Sequence, residues 1–210
     1  MKYLLFLSIV TVCFYSAVSS QMIPQCLCTQ VAPCKKEYEE SVIPCADQCQ
    51  KYASAVGADY TKLRQCLVQQ QPQIQATMKC VEDKYANSCA KSPGNMVKKR
   101  YPETLKIAAM SEINSMLSKL GIANEVKGLL STGKKLFSCM RKCLDNKAGN
   151  CAKKLGCGLD LPSDSTMVQN AKTCAVQSGF DTPGVQQICQ CASSAGVRGI
   201  SGVCPKLQIV

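Results

Sequence analysis

The stretch "LFSCMRKCLDNKAGNCAKKLGCGLDLP", residues 136–162, decides the fold because four cysteines alternate in it with paired basic residues. Such thiols can be metal ligands, a redox centre or the ends of disulfide bonds. The chain contains no histidine, and no two of its cysteines stand in the C-x2-C spacing used by zinc sites and thioredoxin-like redox sites. We therefore interpret the cysteines as structural disulfides, and we expect no metal and no other cofactor.

The first twenty residues predict a secretory signal peptide. They contain one cation, Lys2, then an apolar run over residues 4–15 and small residues up to Ser20. A membrane anchor is the alternative, but the run is shorter than the roughly 20 apolar residues that a transmembrane helix needs. We expect cleavage before Gln21, an exported mature chain and no transmembrane segment in it. Removing Cys13 from seventeen cysteines leaves sixteen, an even number for a compartment in which disulfides persist.

The sixteen remaining cysteines form two groups of eight, separated by a cysteine-free segment. The first group is Cys26, Cys28, Cys34, Cys45, Cys49, Cys66, Cys80 and Cys89, and the second is Cys139, Cys143, Cys151, Cys157, Cys174, Cys189, Cys191 and Cys204. We expect all sixteen to form disulfides. The sequence leaves the pairing open, because the number of possible pairings is very large.

Part of the spacing is repeated between the two groups. From Cys49 to Cys66 is 17 positions and from there to Cys80 is 14, while Cys157, Cys174 and Cys189 are separated by 17 and 15. The repeat indicates a duplicated module, although coincidence among so many cysteines is the alternative. We predict a first cysteine-rich module at 21–90, a basic cysteine-free segment at 91–138 and a second module at 139–210.

The pattern of residues predicts an all-α, disulfide-rich fold. Cys45 and Cys49 are four positions apart, so they lie on one face of a helix, and Cys139 and Cys143 repeat that arrangement. Ser163 is a candidate N-cap for a helix around Cys174. Runs of β-branched residues are short and rarely alternate, which gives little evidence of strands.

The cysteine-free segment predicts an amphipathic helical hairpin that the two modules flank. One apolar stripe contains Leu105, Ala109, Ile113, Met116, Leu117 and Leu120, and a second, after Gly121, contains Ile122, Val126, Leu129, Leu130, Phe137 and Met140. Stripes of this kind usually pack into a core. The alternative is a groove between the two helices that holds a fatty acid or a lysolipid.

The positive charge is concentrated in the middle of the chain. Residues 98–154 contain 13 cations and 4 anions. The candidate anion-binding residues are Lys98, Lys99, Arg100, Lys134, Lys135, Arg141, Lys142, Lys153 and Lys154. Outside the cell such a surface attracts sulfated or carboxylated glycans and anionic lipid head groups. A solvated face that maintains solubility is the alternative, and the lack of stacking aromatic residues argues against nucleic acid.

Catalysis is not expected. The absence of histidine removes the usual general base and the Ser-His and Cys-His nucleophile systems. The remaining carboxylate pairs lie in segments that read as exposed helix faces or turns.

The cysteine block "CMRKCLDNKAGNCAKKLGCGLDLPSD" resembles that of a nematode extracellular family, the chondroitin proteoglycan 4-type domain proteins. The resemblance covers Cys139 to Cys204 and, more faintly, the first module. It implies a secreted, helical, disulfide-bonded domain of extracellular or eggshell-type material, with no catalytic residues to transfer. The chain departs from a proteoglycan core in lacking an acidic, Ser-Gly-rich attachment region.

The sequence therefore predicts a secreted, non-enzymatic extracellular protein that binds a partner or forms structural material. A basic helical face is its expected contact with anionic glycans. Carriage of a small hydrophobic ligand is the second hypothesis, and the oligomeric state is open.

Overall fold

A computed structural model describes residues 21–149, 151 and 154–209. The predicted signal peptide at 1–20 and Lys153 lie outside this part of the chain. The all-α, disulfide-rich class is confirmed, because the regular structure of the described residues consists of eight α-helices, two short helical segments of other types and a single two-stranded sheet.

The elements follow the chain in two series. The first series is strand β1 (Met22–Pro24) and helices α1 (Cys28–Gln48), α2 (Lys51–Ala55), α3 (Tyr60–Gln69) and α4 (Gln71–Lys84). The second series is strand β2 (Met96–Lys98), helix α5 (Pro102–Lys119), helix α6 (Lys127–Leu144) with a π-helical extension (Asp145–Gly149), helices α7 (Asp164–Gln177) and α8 (Thr182–Ser194), and a 3-10 helix (Cys204–Lys206).

Local sequence signals begin and end several helices. The Asp59 carboxylate accepts a hydrogen bond from the backbone N–H of Thr61 at 2.8 Å and caps α3. The predicted cap at Ser163 is confirmed: its Oγ accepts from the N–H of Thr166 at 3.2 Å at the start of α7. Each cap satisfies a backbone donor that has no partner within its helix.

The small sheet was missed by the sequence analysis. Strand β1 pairs antiparallel with β2 so that Ile23 lies opposite Val97, and Val97 is buried. Both strands are three residues long, which is too short to show an alternating pattern. Gly158 packs against them so closely that a Cβ atom there would come within 2.7 Å of the Ile23 Cδ1 atom.

All sixteen cysteines of the described chain are paired. The bridges are Cys26–Cys157, Cys28–Cys89, Cys34–Cys151, Cys45–Cys143, Cys49–Cys139, Cys66–Cys191, Cys80–Cys174 and Cys189–Cys204. Six of them join the first cysteine group to the second, and one remains within each group. The two groups are therefore crosslinked to each other rather than closed on themselves.

The pairing between the groups is reciprocal. Helix α1 packs antiparallel to α6, with Cys45 bonded to Cys143 and Cys49, the residue after α1, bonded to Cys139. Further along, α3 is bonded to α8 and α4 to α7. If α3 corresponds to α7 and α4 to α8, as the repeated spacing suggests, each half bonds its first helix to the second helix of the other half. The bond on α8 uses Cys191, however, whereas the spacing matches Cys80 with Cys189, which is bonded to Cys204. The reciprocity therefore holds for the helices and not for each cysteine.

The Asp47 carboxylate, near the end of α1, connects this helix to α3. Asp47 accepts hydrogen bonds from Tyr60 Oη and from Arg64 Nε, both at 2.7 Å. The bond from Arg64 holds the pKa of Asp47 below its usual range. Burial, followed by the bond to Asp47, raises the pKa of Tyr60 to about 12.

The cysteine-free segment forms two helices that pack on different partners. Helix α5 packs mainly against α7, and α6 mainly against α1. They are joined by a turn in which Gly121 has a φ of +68°, a conformation that favours glycine. Below the turn, Leu117, Ile122 and Val126 pack with Val203 in a small buried cluster.

The predicted apolar stripes are only partly buried. On the first stripe, Leu105, Ala109 and Met116 are half-buried, while Ile113 is exposed. On the second, Ile122 and Val126 are buried, and the side chains of Leu130 and Phe137 lie outside the described part of the structure.

Digestion of the unreduced protein after basic and aromatic residues tests the reciprocal pairing. Cleavage at Lys79 separates Cys66 from Cys80, and cleavage at Phe180 separates Cys174 from Cys191. Mass spectrometry should find the Cys80 peptide bonded to the Cys174 peptide, and the Cys66 peptide bonded to the one that carries Cys191. A bond between Cys66 and Cys80 would contradict the arrangement.

Candidate functional site

Helix α6 carries a continuous basic face. We use this name for Lys127, Lys134, Lys135, Arg141 and Lys142; the helix contains no acidic residue. Three of these residues are spaced by seven positions, nearly two full turns, and so form a row along one side. Lys135 and Lys142 each follow one position later, about 100° further round. The face extends about 22 Å along the axis, at 1.5 Å per residue.

Two disulfides fix the side of α6 that lies opposite the row of Lys127, Lys134 and Arg141. Lys135, four positions before Cys139, lies closer to that side. Cys139 and Cys143 are each two positions from Arg141, about 200° round the helix. Their bonds to Cys45 on α1 and to Cys49, the residue after α1, prevent α6 from rotating about its axis. The basic face is therefore held toward solvent, and all four of its lysines are exposed.

Arg141 differs from the four lysines because it makes ion pairs within the protein. Its Nη2 atom donates to Glu103 Oε1 at 2.8 Å, and its Nε atom lies 3.5 Å from Asp145 Oδ2. The contact with Glu103 links the end of α6 to the start of α5. Arg141 thus helps to position α5, and the lysines provide the accessible charge.

The other predicted anion-binding residues lie on different elements. Lys98 ends β2; Lys99 follows it and donates from Nζ to Gln21 Oε1 at 3.0 Å. Arg100 donates to the carbonyls of Leu161 and Pro162 and lies 3.6 Å from Asp164 Oδ1, so it anchors the chain. Lys154 is exposed beyond the π-helical extension.

Lys127 belongs to the basic face and was missed by the sequence analysis. The candidate residues all stand next to another basic residue, whereas Lys127 has no basic neighbour in sequence. Its position seven residues before Lys134 was the signal that could have identified it.

A groove of about 590 Å³ lies between α5 and the end of α6. Its lining includes Glu103, Lys106, Ile107, Met110, Ser111, Asn114 and Arg141. Ile107 is 69% exposed. Helical spacing continues the groove-facing side of α5 from Met110 to Leu117, which enters the buried cluster at the turn.

Two charged contacts hold α5 in place beside the groove. Besides the Glu103–Arg141 pair, Lys172 Nζ on α7 donates to Glu112 Oε1 at 3.0 Å, with both side chains about one-third exposed. The hydrogen bond from Lys172, together with its charge, lowers the pKa of Glu112.

The described residues contain neither a cluster of potential metal ligands nor a membrane-spanning helix. No group of three or more cysteine, aspartate or glutamate side chains is placed to hold a metal ion there. No helix in that part of the chain is both long and apolar enough to cross a membrane.

Comparison of the chain with protein-family models, with curated proteins and with solved structures finds no match. The resemblance of the second cysteine block to chondroitin proteoglycan 4-type proteins therefore stays a prediction. What the structure itself defines is a disulfide-crosslinked helical protein with a fixed basic face and an adjoining groove.

Replacing Glu112 with glutamine should loosen α5 in a pH-dependent way. Because the pKa of Glu112 is lowered on folding, its contribution to stability is present above the unfolded value of about 4.3 and is lost as the pH falls through the folded value. We expect faster amide hydrogen exchange in α5 of Glu112→Gln at neutral pH, and no difference from the parent at about pH 2. The control is Glu37→Gln on α1, and an equal effect of that change would contradict the assignment.

Proposed function

We propose that this is a secreted, non-enzymatic extracellular protein that binds anionic glycans through the basic face of α6. The observation that carries the proposal is the placement of four exposed lysines in two neighbouring rows along one rigid helix that has no acidic residue. A linear sulfated or carboxylated polymer presents charges in series, which suits a row of cations better than a single converging pocket would.

Rigidity supports this binding mode. The two disulfides to α1 fix α6, so binding carries no free-energy cost for ordering its backbone. Exposed lysine side chains still lose freedom when they bind. The affinity should therefore arise from several weak contacts and should fall steeply as salt is added.

Export is part of the proposal. Eight disulfides are typical of proteins that fold and persist in an oxidising compartment, as the predicted signal peptide also indicates. The resemblance to nematode extracellular proteins points the same way. Because the chain lacks an acidic Ser-Gly-rich region, we propose that it binds glycans of other molecules rather than bearing its own.

Exchanging Lys127, Lys134, Lys135 and Lys142 together for glutamine should remove glycan binding. Four exposed contacts of about 0.5–1 kcal/mol each predict a loss of affinity of roughly 30-fold or more. Retention on immobilised heparin, with elution by a salt gradient, measures the effect.

The matched control exchanges four exposed lysines outside α6, Lys62, Lys79, Lys84 and Lys91. Its net charge is the same as that of the test variant. If both variants elute at the same salt concentration, the binding follows net charge and the assignment to α6 is wrong. If the parent protein does not bind any sulfated or carboxylated glycan, the proposed function fails.

The groove beside α5 favours a second candidate function, the carriage of a fatty acid or lysolipid. Ile107 and Met110 offer an apolar wall, and Lys106 offers a cation for an anionic head group. Carriage differs from glycan binding because burial of an acyl chain is insensitive to screening by salt.

Replacing Ile107 with aspartate should abolish carriage without unfolding the protein, because this side chain is already largely in water. A native mass spectrum of the secreted parent should show a discrete lipid mass that the variant lacks. Val68→Asp, at an exposed apolar position on α3, is the control and should keep the lipid. A parent protein without added mass would eliminate this candidate.

A further inference from the structure

We infer that the peptide bond between Arg100 and Tyr101 is a processing site for a serine protease that recognises consecutive basic side chains during export. Cleavage there would convert the protein into two disulfide-linked chains. The inference rests on the export that is part of the proposed function, and it does not depend on glycan binding.

The structure distinguishes this basic run from others in the chain. Lys35–Lys36 lies within α1, and Lys134–Lys135 and Arg141–Lys142 lie within α6. A protease cleft binds its substrate as an extended strand, so a basic pair inside a helix must first unfold. Residues 98–100 instead connect strand β2 to helix α5. Of the basic runs that the structure describes in full, this one alone lies outside a helix.

The backbone on both sides of the site is already extended. Lys98 is in β2, and Tyr101 has a φ of −114° and a ψ of 119°. Within the described chain β2 pairs only with β1. Lys98, Lys99, Arg100 and Tyr101 are all exposed. Exposed connections of this kind are preferred positions for proteolytic nicking.

Charge complementarity identifies the class of protease. Three consecutive cations, Lys98, Lys99 and Arg100, suit a cleft whose subsites present carboxylates. Arg100 must leave the carbonyls of Leu161 and Pro162 to enter such a subsite. We expect cleavage to be limited by this local release rather than by global unfolding.

Hydrolysis adds one water across the bond that breaks. The Arg100 carbonyl carbon gains a carboxylate oxygen, and the Tyr101 nitrogen becomes a free ammonium group. Six disulfides connect residues 21–100 to residues 101–210, so the products remain one covalent molecule. Cys28–Cys89 stays within the first chain and Cys189–Cys204 within the second.

The cut would also change how α5 is held. This helix contains no cysteine, so it would become the free end of the second chain. It would then be attached to α6 through the turn at Gly121 and held elsewhere by the Glu103–Arg141 and Glu112–Lys172 contacts and by packing on α7. Helix α5, which forms one wall of the groove, could then move relative to α6 about the turn at Gly121.

The test is limited digestion of the purified, disulfide-bonded protein with a subtilisin-type protease specific for paired basic residues. We expect the unreduced mass to rise by one water. After reduction, one polypeptide should end at Arg100 and the other should begin at Tyr101. An uncut chain, or a first cut at another basic pair, would overturn the inference.

The test variant is Lys98→Gln with Lys99→Gln, which removes the basic pair and leaves the contacts of Arg100 intact. It should resist the protease at concentrations that cut the parent completely. Lys134→Gln with Lys135→Gln has the same net charge and should be cut like the parent. Equal cleavage of both variants would show that the basic run does not direct the cut.

The same masses should then be measured on protein secreted by eukaryotic cells that express such a protease. Two chains after reduction support processing during export, and a secreted single chain overturns it. Lack of secretion would instead contradict the proposed function, and the digestion of purified protein still decides whether the site is cleavable.

Discussion

The six disulfides that join the two cysteine groups are the constraint on which the rest of the structure depends. The apolar clusters are small: one is formed by Leu117, Ile122, Val126 and Val203, and another by Ala53, Ala58 and Val197. The largest side chains with almost no solvent exposure are Ile122 and the half-cystines Cys45, Cys49, Cys174 and Cys204. Half-cystine side chains thus occupy much of the interior. A single native disulfide typically contributes about 2–4 kcal/mol, so crosslinks replace a large core.

The same crosslinks determine which surfaces the protein offers. The bonds from α6 to α1 fix the orientation of α6, and its four lysines are exposed to water. Helix α5 has no such bond and is held by packing and by the ion pairs of Glu103 and Glu112. The basic face is rigid because α6 is fixed covalently. The groove is adjustable because α5 is held only by non-covalent contacts.

Much of the local structure could be predicted from the sequence. The helical class, the Ser163 cap and the turn at Gly121 follow from spacing and residue type, which act over a few residues. The pairing could not be predicted, because Cys45 and Cys49 on one helical face can bond to any helix placed opposite. The ion pair of Arg141 and the groove depend on the position of α5, which Lys172, sixty residues away, helps to set.

Reciprocal pairing also has a consequence for biosynthesis on the ribosome. When the first eight cysteines have emerged, Cys28–Cys89 is the one native bridge that can close among them. The other six cysteines can form native bonds only with cysteines from Cys139 onward, and Cys139 lies fifty residues after Cys89. At typical rates of synthesis that delay is about 3–10 s, which is long enough for wrong disulfides to form within the first half. Native pairing then requires thiol–disulfide exchange after the second half arrives, so the yield of folded protein should depend on the isomerase capacity of the compartment.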